Sequence, residues 1–456
     1  MKSLYFLVLI VLFCSCQKFI EIDDPIDKIN APTVFTDDAT ATSAVLGMYA
    51  RLVTTSPAFS NGAITIHLGT SADELNYTGT IAEMSTFYTN SLNSANFTLY
   101  RDFWRYPYET IYHANICIEG LTNSTTISPD LKTQLLGEAH FIRAFCYYYL
   151  VSNFGDVPLL TTTDFEINAI KPRTNTTEVI NFVVDDLKIA IGMLSPTYPS
   201  PGRLRVNRYT AIALLNRAYL QQKNWEKVEQ TATEIINSKV YSLESDLSKT
   251  FLKESKEAFW ELAFPDNNTF NTIEANRFVP VATASVLPTF TLTQGLYNAF
   301  ENGDLRKTNW IGSKTVNNVT YYYPFKYKVR AAVAKTEHCI VIRLPEIYLN
   351  RAEARVHLKD ISGALDDLNE IRHRANPAWQ PFNATDLNII QNAIQKEKRI
   401  EYFAEWGHRW YDLKRAGQLN EVMSVVKTTW KPTAALFPIP SSEILVNKNL
   451  IQNPGY

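Results

Sequence analysis

Helical periodicity recurs along most of this chain and constrains its fold more than any other feature of the sequence. Apolar residues return every three or four positions in residues 39–52, 97–121, 129–154, 177–194, 207–223, 225–238, 344–358, 361–375 and 386–415. Such spacing gives a helix one apolar face that can be buried against a neighbour. No comparable series of alternating strands is present in the sequence. We therefore predict a mostly α fold.

Two of the predicted helix pairs share one spacing of small and large residues. Val228, Ala232 and Ile235 follow Tyr219 at the same offsets at which Ala364, Leu368 and Ile371 follow Arg355. Leu215 and Ala352 lie about one turn earlier in the first helix of each pair. Turns fall between the two helices of each pair, at residues 223–224 and 360–363. Repeated helix pairs of this kind stack side by side to bury a continuous core. The spacing predicts a tetratricopeptide-like helical-repeat scaffold.

The helical pattern is interrupted from residue 241 to residue 341, where Thr, Asn, Pro, Gly and aromatic residues are mixed. Residues 258–264 and 321–327 alternate well enough to form short strands. A long, loop-rich region inside a globular protein is usually functional. We therefore predict a helical half at 39–240 and a second half at 241–456 whose irregular, partly β insertion at 241–341 faces a ligand.

The N-terminus has the layout of a secretory signal. Lys2 precedes an apolar run at 4–13, which is too short to span a membrane because ten helical residues cover only about 15 Å. Small and cysteine residues then follow at 14–16. We predict a signal peptide at 1–15, lipidation of Cys16 and an extended tether at 16–38. Cys14 is the competing thiol, but cleavage before it would place Phe13 where a small residue is required.

Composition argues against several classes of function. The 44 Lys and Arg residues balance 46 Asp and Glu residues, so no overall field attracts nucleic acid. Cys117, Cys146 and Cys339 are widely separated, which argues against a disulfide framework or a zinc site. Cys117 and Cys146 lie in apolar helical stretches, so we predict that these two thiols are buried. The seven histidines show no metal-ligand spacing, and no phosphate or dinucleotide motif is present. We expect no metal and no cofactor.

Several motifs resemble those of the SusD/RagB family. Residues 137–160 are similar to a family helix that ends in an FGDVP turn, and the segment EKRIEYFAEWGHRWYDLKRAG at 397–417 resembles the family's most recognisable stretch. Residues 343–354, 437–444 and 452–456, with Asp304 and Arg306, follow in the family's order. The resemblance covers the chain from its N-terminal cysteine to its last residue.

This resemblance implies a tetratricopeptide-containing lipoprotein at the surface of the outer membrane. It also implies a lid-like role over a SusC-like TonB-dependent transporter, which would import the captured nutrient. The resemblance does not identify that nutrient, because family members take up different glycans and the RagB branch is associated with peptides. We predict a glycan or oligosaccharide ligand, with peptide capture as the alternative.

An enzymatic reading would begin with Glu397, Glu401 and Glu405, which fall on one face of a predicted helix. A glycosidase needs two carboxylates that face each other across the sugar, generally from different elements. These glutamates instead alternate with Arg399, Arg409, Lys414 and Arg415. We interpret the segment as an ion-pair network between helices and expect no catalytic residue. Hydrolysis by this helix remains the third hypothesis.

Aromatic and amide residues in loops are the candidates for ligand binding, because sugars stack on rings and their hydroxyl groups bond to polar side chains. Trp310 is the leading candidate, and ordinary packing is the alternative for each residue. The candidates come from one loop after the first helix and from the irregular region, and they are Asp73, Asn76, Tyr77, Tyr88, Asn276, Arg277, Trp310, Tyr321 and Tyr322.

Overall fold

The computed structural model describes residues 34–53, 58–265 and 268–456, and this part of the chain is mostly helical, as predicted. The predicted signal peptide at 1–15, the lipidation site Cys16 and most of the tether at 16–38 lie outside the described residues. No helix in the described ranges is long and apolar enough to cross a membrane.

The first half of the chain builds a layer of helices around one long central helix. Its helices, with one π-helix, are α1 (Asp38–Arg51), α2 (Ala63–Ser71), α3 (Ala82–Tyr88), the π-helix (Leu99–Arg105), α4 (Tyr106–Asn123), α5 (Pro129–Phe154), α6 (Phe165–Ala169), α7 (Thr176–Met193), α8 (Arg208–Gln221) and α9 (Trp225–Ser238). Side-chain caps begin several of them. Asp37 accepts two backbone N–H bonds at 2.9 Å at the start of α1, and Asn207 caps α8 in the same way.

Helix α5 forms the centre of the largest hydrophobic core. It packs against α4 and α7, and it is buried on all sides over its second half. A helix without a polar face must be enclosed by other elements, which explains the aromatic residues at 147–149. Tyr149 packs against Trp406, with ring centroids 5.7 Å apart, so the core takes side chains from both halves of the chain. The predicted boundary at residue 240, between a helical first half and a second half, therefore stays a prediction.

The predicted helical repeats are present as two stacked pairs. Helices α8 and α9 form the first pair, and α13 (Leu344–His357) with α14 (Ile361–Ala375) forms the second. Helix α9 packs against α13, so that the two pairs share one layer. Ala232 and Ala364 are fully buried where the helices cross. Arg351 joins the pairs, because it donates to Asp367 of α14 at 2.7 Å and to Thr233 of α9 at 3.0 Å.

The irregular region contains short helices as well as strands, and the helices were not predicted. They are α10 (Ile273–Phe278), α11 (Gln294–Ala299) and α12 (Leu305–Trp310). The strands of the described chain are β1 (Leu75–Tyr77), β2 (Val157–Pro158), β3 (Arg173–Thr174), β4 (Ala258–Leu262), β5 (Phe290–Leu292), β6 (Ile311–Val316), β7 (Val319–Pro324) and β8 (Cys339–Arg343). They pair antiparallel as β1 with β5, β2 with β3, β4 with β8 and β6 with β7.

The C-terminal helix predicted at 386–415 is two helices, α15 (Leu387–Glu401) and α16 (His408–Arg415). The prediction of one continuous helix is wrong because the chain turns between them. Ala404, Trp406 and Gly407 have φ angles of 50°, 44° and 68°, outside the range of a right-handed helix. At Gly407 a Cβ atom would lie 2.5 Å from Leu68, so a side chain cannot be accommodated there.

The remaining helices follow α16 in the C-terminal part of the chain. They are α17 (Leu419–Val426), a 3-10 turn (Pro432–Ala435) and α18 (Ser441–Val446). Asn453 donates to the carbonyl oxygens of Phe154 at 2.8 Å and Phe437 at 2.7 Å, which fixes the C-terminal segment to the end of α5. Cys117 and Cys146 are buried free thiols, as predicted, and Cys339 is a third.

Candidate ligand-binding site

A cavity of about 270 Å³ opens between the loop region after α2 and the irregular region of the second half. The pairing of β1 with β5 creates it, because the register places Tyr77 opposite Phe290 and brings two distant loops together. The cavity is lined by Ile66, His67, Tyr77, Ile81, Met84, Thr98, Arg101, Asp102, Asn276, Arg277, Thr289, Phe290 and Arg330. Three predicted ligand-binding residues, Tyr77, Asn276 and Arg277, therefore line the same cavity.

Tyr77 is held in place on two sides. Its ring packs against Phe290 with centroids 5.5 Å apart, and its hydroxyl oxygen accepts the backbone N–H of Ile81 at 3.0 Å. The second contact closes the chain from Tyr77 to Ile81 into a tight loop over the start of α3. Because both contacts are made within the protein, they fix the orientation of the Tyr77 ring in the apolar part of the cavity.

Helix α10 carries Asn276 and Arg277 to the opposite part of the cavity. Thr272 caps this helix with a bond of 3.0 Å to the backbone N–H of Ala275. Arg330 secures its C-terminal end, since its Nη1 atom donates to the backbone carbonyls of Asn276 and, at 2.8 Å, Val279. Arg277 is exposed, and it makes no ion pair with any residue in the described ranges.

The π-helix supplies Arg101 and Asp102. The two side chains form a two-point ion pair, with Nε and Nη2 of Arg101 at 2.5 and 2.9 Å from the Asp102 oxygens. Burial raises the pKa of Asp102 to about 6, although Arg101 acts in the opposite direction. Single π-turns are rare and are frequently found at functional sites. The carboxylate of Asp102 is therefore paired with Arg101 through both of its oxygens.

His67 forms part of the floor of the cavity. Its ring packs against Phe87 and Phe103, at centroid distances of 4.2 and 5.6 Å. Burial, with the charges of Arg101 and Arg277, lowers its pKa to about 3, so the imidazole is neutral at physiological pH. Its Nδ1 atom is buried and has no hydrogen-bond partner among the described residues.

Trp310, the leading candidate from the sequence, is not on this surface. Its side chain is 0% exposed, and its indole nitrogen donates to the carbonyl oxygen of Leu247 at 3.0 Å. Phe251 packs against its ring at 5.4 Å, and Lys326 lies 4.9 Å from the ring centroid. A sugar has no face on which to stack, so the prediction for Trp310 is corrected to a core residue.

Asp73 is also a structural residue. Its carboxylate oxygens accept two bonds from Arg409, at 2.8 and 3.0 Å, and lie 2.7 Å from Arg399. These contacts leave the side chain buried and its hydrogen-bonding capacity used. The prediction that Asp73 contacts a ligand is therefore corrected.

The other four candidates lie outside the lining of the cavity. Asn76 sits in β1 and donates to the carbonyl oxygen of Leu292 across the strand pair at 3.2 Å. The ring of Tyr88 faces the ammonium group of Lys427 at 4.0 Å. Tyr321 and Tyr322 belong to the β6–β7 hairpin, where Tyr322 stacks on a neighbouring tyrosine. Their roles in binding stay predictions.

The glutamates considered for catalysis form ion pairs that join different elements, as predicted, but their partners are basic residues of other segments and not Arg399, Arg409, Lys414 or Arg415. Arg306 lies 2.5 Å from Glu397 and 2.9 Å from Glu401, and Arg343 contacts both Glu401 and Glu405. Glu401 and Arg306 are 0% exposed. A substrate cannot reach these carboxylates, so the geometry supports a structural role for this segment.

Several lining residues were not predicted from the sequence. Arg101 and Asp102 fell inside a predicted helix, and His67 fell between the predicted elements. Arg330 has no distinguishing motif, since only the fold brings it to α10. The adjacent opposite charges of Arg101 and Asp102 were a weak signal, because neighbours in an ordinary helix do not face each other. Within the described ranges, no group of His, Cys, Asp and Glu side chains is arranged to hold a metal ion.

Comparison with known proteins places the chain in a family. Residues 294–456 match the SusD family, and residues 18–220 match a family described as starch-binding and associating with the outer membrane. SusD-like protein P25 of Formosa agariphila is 24% identical over 98% of each chain. This chain therefore belongs to the SusD/RagB family.

Solved structures share the fold. A SusD superfamily protein from Bacteroides vulgatus has a TM-score of 0.82 at 20% identity, over 93% of this chain and 100% of that chain. Surface glycan-binding protein A from Bacteroides fluxus has a TM-score of 0.76 at 23% identity, over 92% of this chain and 99% of that chain. At these identities the likeness concerns the fold.

Proposed function

We propose that this protein captures a glycan or oligosaccharide at the cell surface and passes it to a SusC-like TonB-dependent transporter for import. The observation that carries the proposal is the meeting of Tyr77, Asn276 and Arg277 in one cavity. An aromatic ring, an amide and a guanidinium are the groups that recognise the apolar faces and hydroxyl groups of sugars. Membership of a family with starch-binding and glycan-binding relatives supports the same ligand class.

The proposed role is binding without catalysis. The cavity has one lining carboxylate, Asp102, and that carboxylate is paired with Arg101 at 2.5 Å. Glycoside hydrolysis generally requires two carboxyl groups on either side of the scissile bond. The chemistry available in the cavity is therefore hydrogen bonding, stacking and charge pairing.

Binding is best tested by affinity electrophoresis against a panel of polysaccharides, followed by calorimetry with oligosaccharides of any that retard the protein. Tyr77→Ala and Asn276→Ala should weaken binding at least about tenfold, because each removes a contact from the cavity wall. Tyr112→Ala is the matched control, since Tyr112 is an exposed tyrosine on α4 outside the cavity. Binding to peptides with no binding to any glycan would instead support peptide capture.

We also propose that lipid on Cys16 holds the protein at the outer membrane. Two or more acyl chains give stable anchoring, since each buried methylene contributes about 0.8 kcal/mol. Cys16→Ala should release the protein from the membrane fraction, whereas Cys14→Ala should leave it attached. Co-purification of the transporter with the anchored protein tests the partnership.

A further inference from the structure

The walls of the cavity carry more positive than negative charge. Arg101, Arg277 and Arg330 line it, and Asp102 is the one carboxylate among the lining residues. His67 adds no charge at neutral pH, because burial lowers its pKa to about 3. The four charged side chains therefore leave the lining with an excess of two positive charges.

The excess positive charge lies at α10, which carries Arg277 and contacts Arg330, and not at the π-helix. Asp102 is paired with Arg101, on which Glu83 of α3 also acts from outside the lining. The hydrogen bonds of Arg330 go to the carbonyl oxygens of Asn276 and Val279, which are neutral.

Arg277 lacks a compensating partner. None of the described ion pairs or hydrogen bonds involves its guanidinium, and burial together with the nearby charge of Arg330 lowers its pKa. Two guanidinium groups that repel each other at the rim of a cavity gain from an anion placed between them. Guanidinium groups bind carboxylate and sulfate oxygens in a two-point geometry that neutral hydroxyl groups match less well.

We propose that the glycan bound in this cavity is acidic, and that Arg277 pairs with a carboxylate or sulfate ester on the sugar while Arg330 adds to the field. This inference rests on the proposed function. The ring of the sugar lies against the apolar part of the cavity at Tyr77, and the acidic substituent points to α10. An acidic peptide has the same charged group, but the family's starch-binding and glycan-binding relatives favour a sugar.

The test uses pairs of ligands that differ only in charge. Calorimetry compares the affinity for oligogalacturonates with that for their methyl esters, and the affinity for a sulfated galactan with that for its desulfated form. Binding of one acidic ligand, with a loss of roughly tenfold or more when its charge is removed, is the expected result. The two pairs distinguish a carboxylate from a sulfate ester. Binding to none of the acidic glycans, or to a polyglutamate peptide alone, would overturn the inference.

Variants of Arg277 assign the effect to the cavity. Arg277→Gln should weaken binding of the acidic ligand roughly tenfold and reduce its dependence on salt, whereas Arg277→Lys should retain most of both. Arg208→Gln is the matched control, because Arg208 is an exposed arginine on α8. Folding is preserved in both Arg277 variants, since Arg277 has no hydrogen bond or ion pair to lose. The Arg208 variant loses one exposed ion pair, with Glu234 at 3.6 Å, which contributes little to stability.

One pattern of results separates this inference from the proposed function. If Tyr77→Ala weakens binding of a neutral glycan while Arg277→Gln binds every ligand as the wild type does, glycan binding stands and the acidic preference is wrong. If no glycan of either kind binds, both are wrong.

Discussion

The carboxylate of Asp73 accepts hydrogen bonds from Nε and Nη2 of Arg409, at 2.8 and 3.0 Å, and this contact joins the segment after α2 to α16. Arg399 of α15 approaches the same carboxylate to 2.7 Å. One side chain near the N-terminus therefore holds two C-terminal helices beside the wall of the cavity.

Asp73→Asn should lower the free energy of unfolding by about 2–4 kcal/mol, because it leaves two partly buried arginines without a charged partner. Burial acts to raise the pKa of Asp73, but Arg409 and Arg399 lower it overall. The contribution is therefore present above the unfolded pKa of about 4 and is lost as the pH falls through the lower folded value. Urea unfolding at several pH values measures it, and the exposed Asp185→Asn variant should match the wild type.

Trp310→Phe distinguishes a core residue from a ligand contact. We expect a loss of about 1–3 kcal/mol of stability, because the indole volume and its bond to Leu247 are removed from a buried site. Glycan affinity should be unchanged, as measured by calorimetry. A variant of normal stability that binds its ligand poorly would contradict the buried position.

Glu401→Gln should act on stability rather than on turnover. Glu401 is fully buried and contacts Arg306, Arg343 and Arg374, so neutralising it removes the one carboxylate that these three buried arginines share. Each arginine keeps at least one other glutamate, which is Glu397, Glu405 or Glu257 respectively. The expected loss is about 3–5 kcal/mol in urea unfolding. Glu370→Gln, at an exposed position on α14, is the control and should be neutral. Wild-type stability in Glu401→Gln would argue against the network.

Glu74 predicts a pH effect of the opposite sign. Burial, with the nearby charge of Asp73, raises its pKa from 4.5 to about 8. The folded protein thus holds a proton that the unfolded chain releases, so stability falls as the pH rises from 4.5 to 8. Glu74→Gln mimics the protonated group and should gain on the wild type across that range, on the order of a few kcal/mol. Parallel stability curves for the two proteins would show that Glu74 is ionised when folded.

Much of the scaffold could be predicted because helical periodicity is a local signal. The bounds of α5 and α14 agree with the periodic stretches 129–154 and 361–375. The break between α15 and α16 could not be predicted, since Ala404 and Trp406 adopt positive φ angles that their residue types do not indicate. Tertiary contacts around Gly407 impose that turn.

The site was only partly predictable for a related reason. The sequence identified the two regions that contain Tyr77 and Arg277, but it indicated neither the short elements β1 and α10 on which they lie nor the pairing of β1 with β5. That pairing links Asn76 to Thr291, 215 positions later, and no local pattern specifies so distant a contact. Trp310 was misassigned because residue type alone cannot distinguish a ring that stacks on a sugar from a ring that packs in a core.

The π-helix has a consequence for how such a cavity diversifies. A π-turn contains one residue more than an α-turn, and each α-helical residue rotates the chain by about 100°. Removing one residue from Leu99–Arg105 would redirect Arg101 and Asp102 while α4 keeps its own apolar face in register. A change of length at this position would reorient Arg101 and Asp102 together, whereas a substitution changes one side chain. A single-residue insertion or deletion here would therefore alter the ligand contacts of the cavity while the rest of the scaffold stays the same.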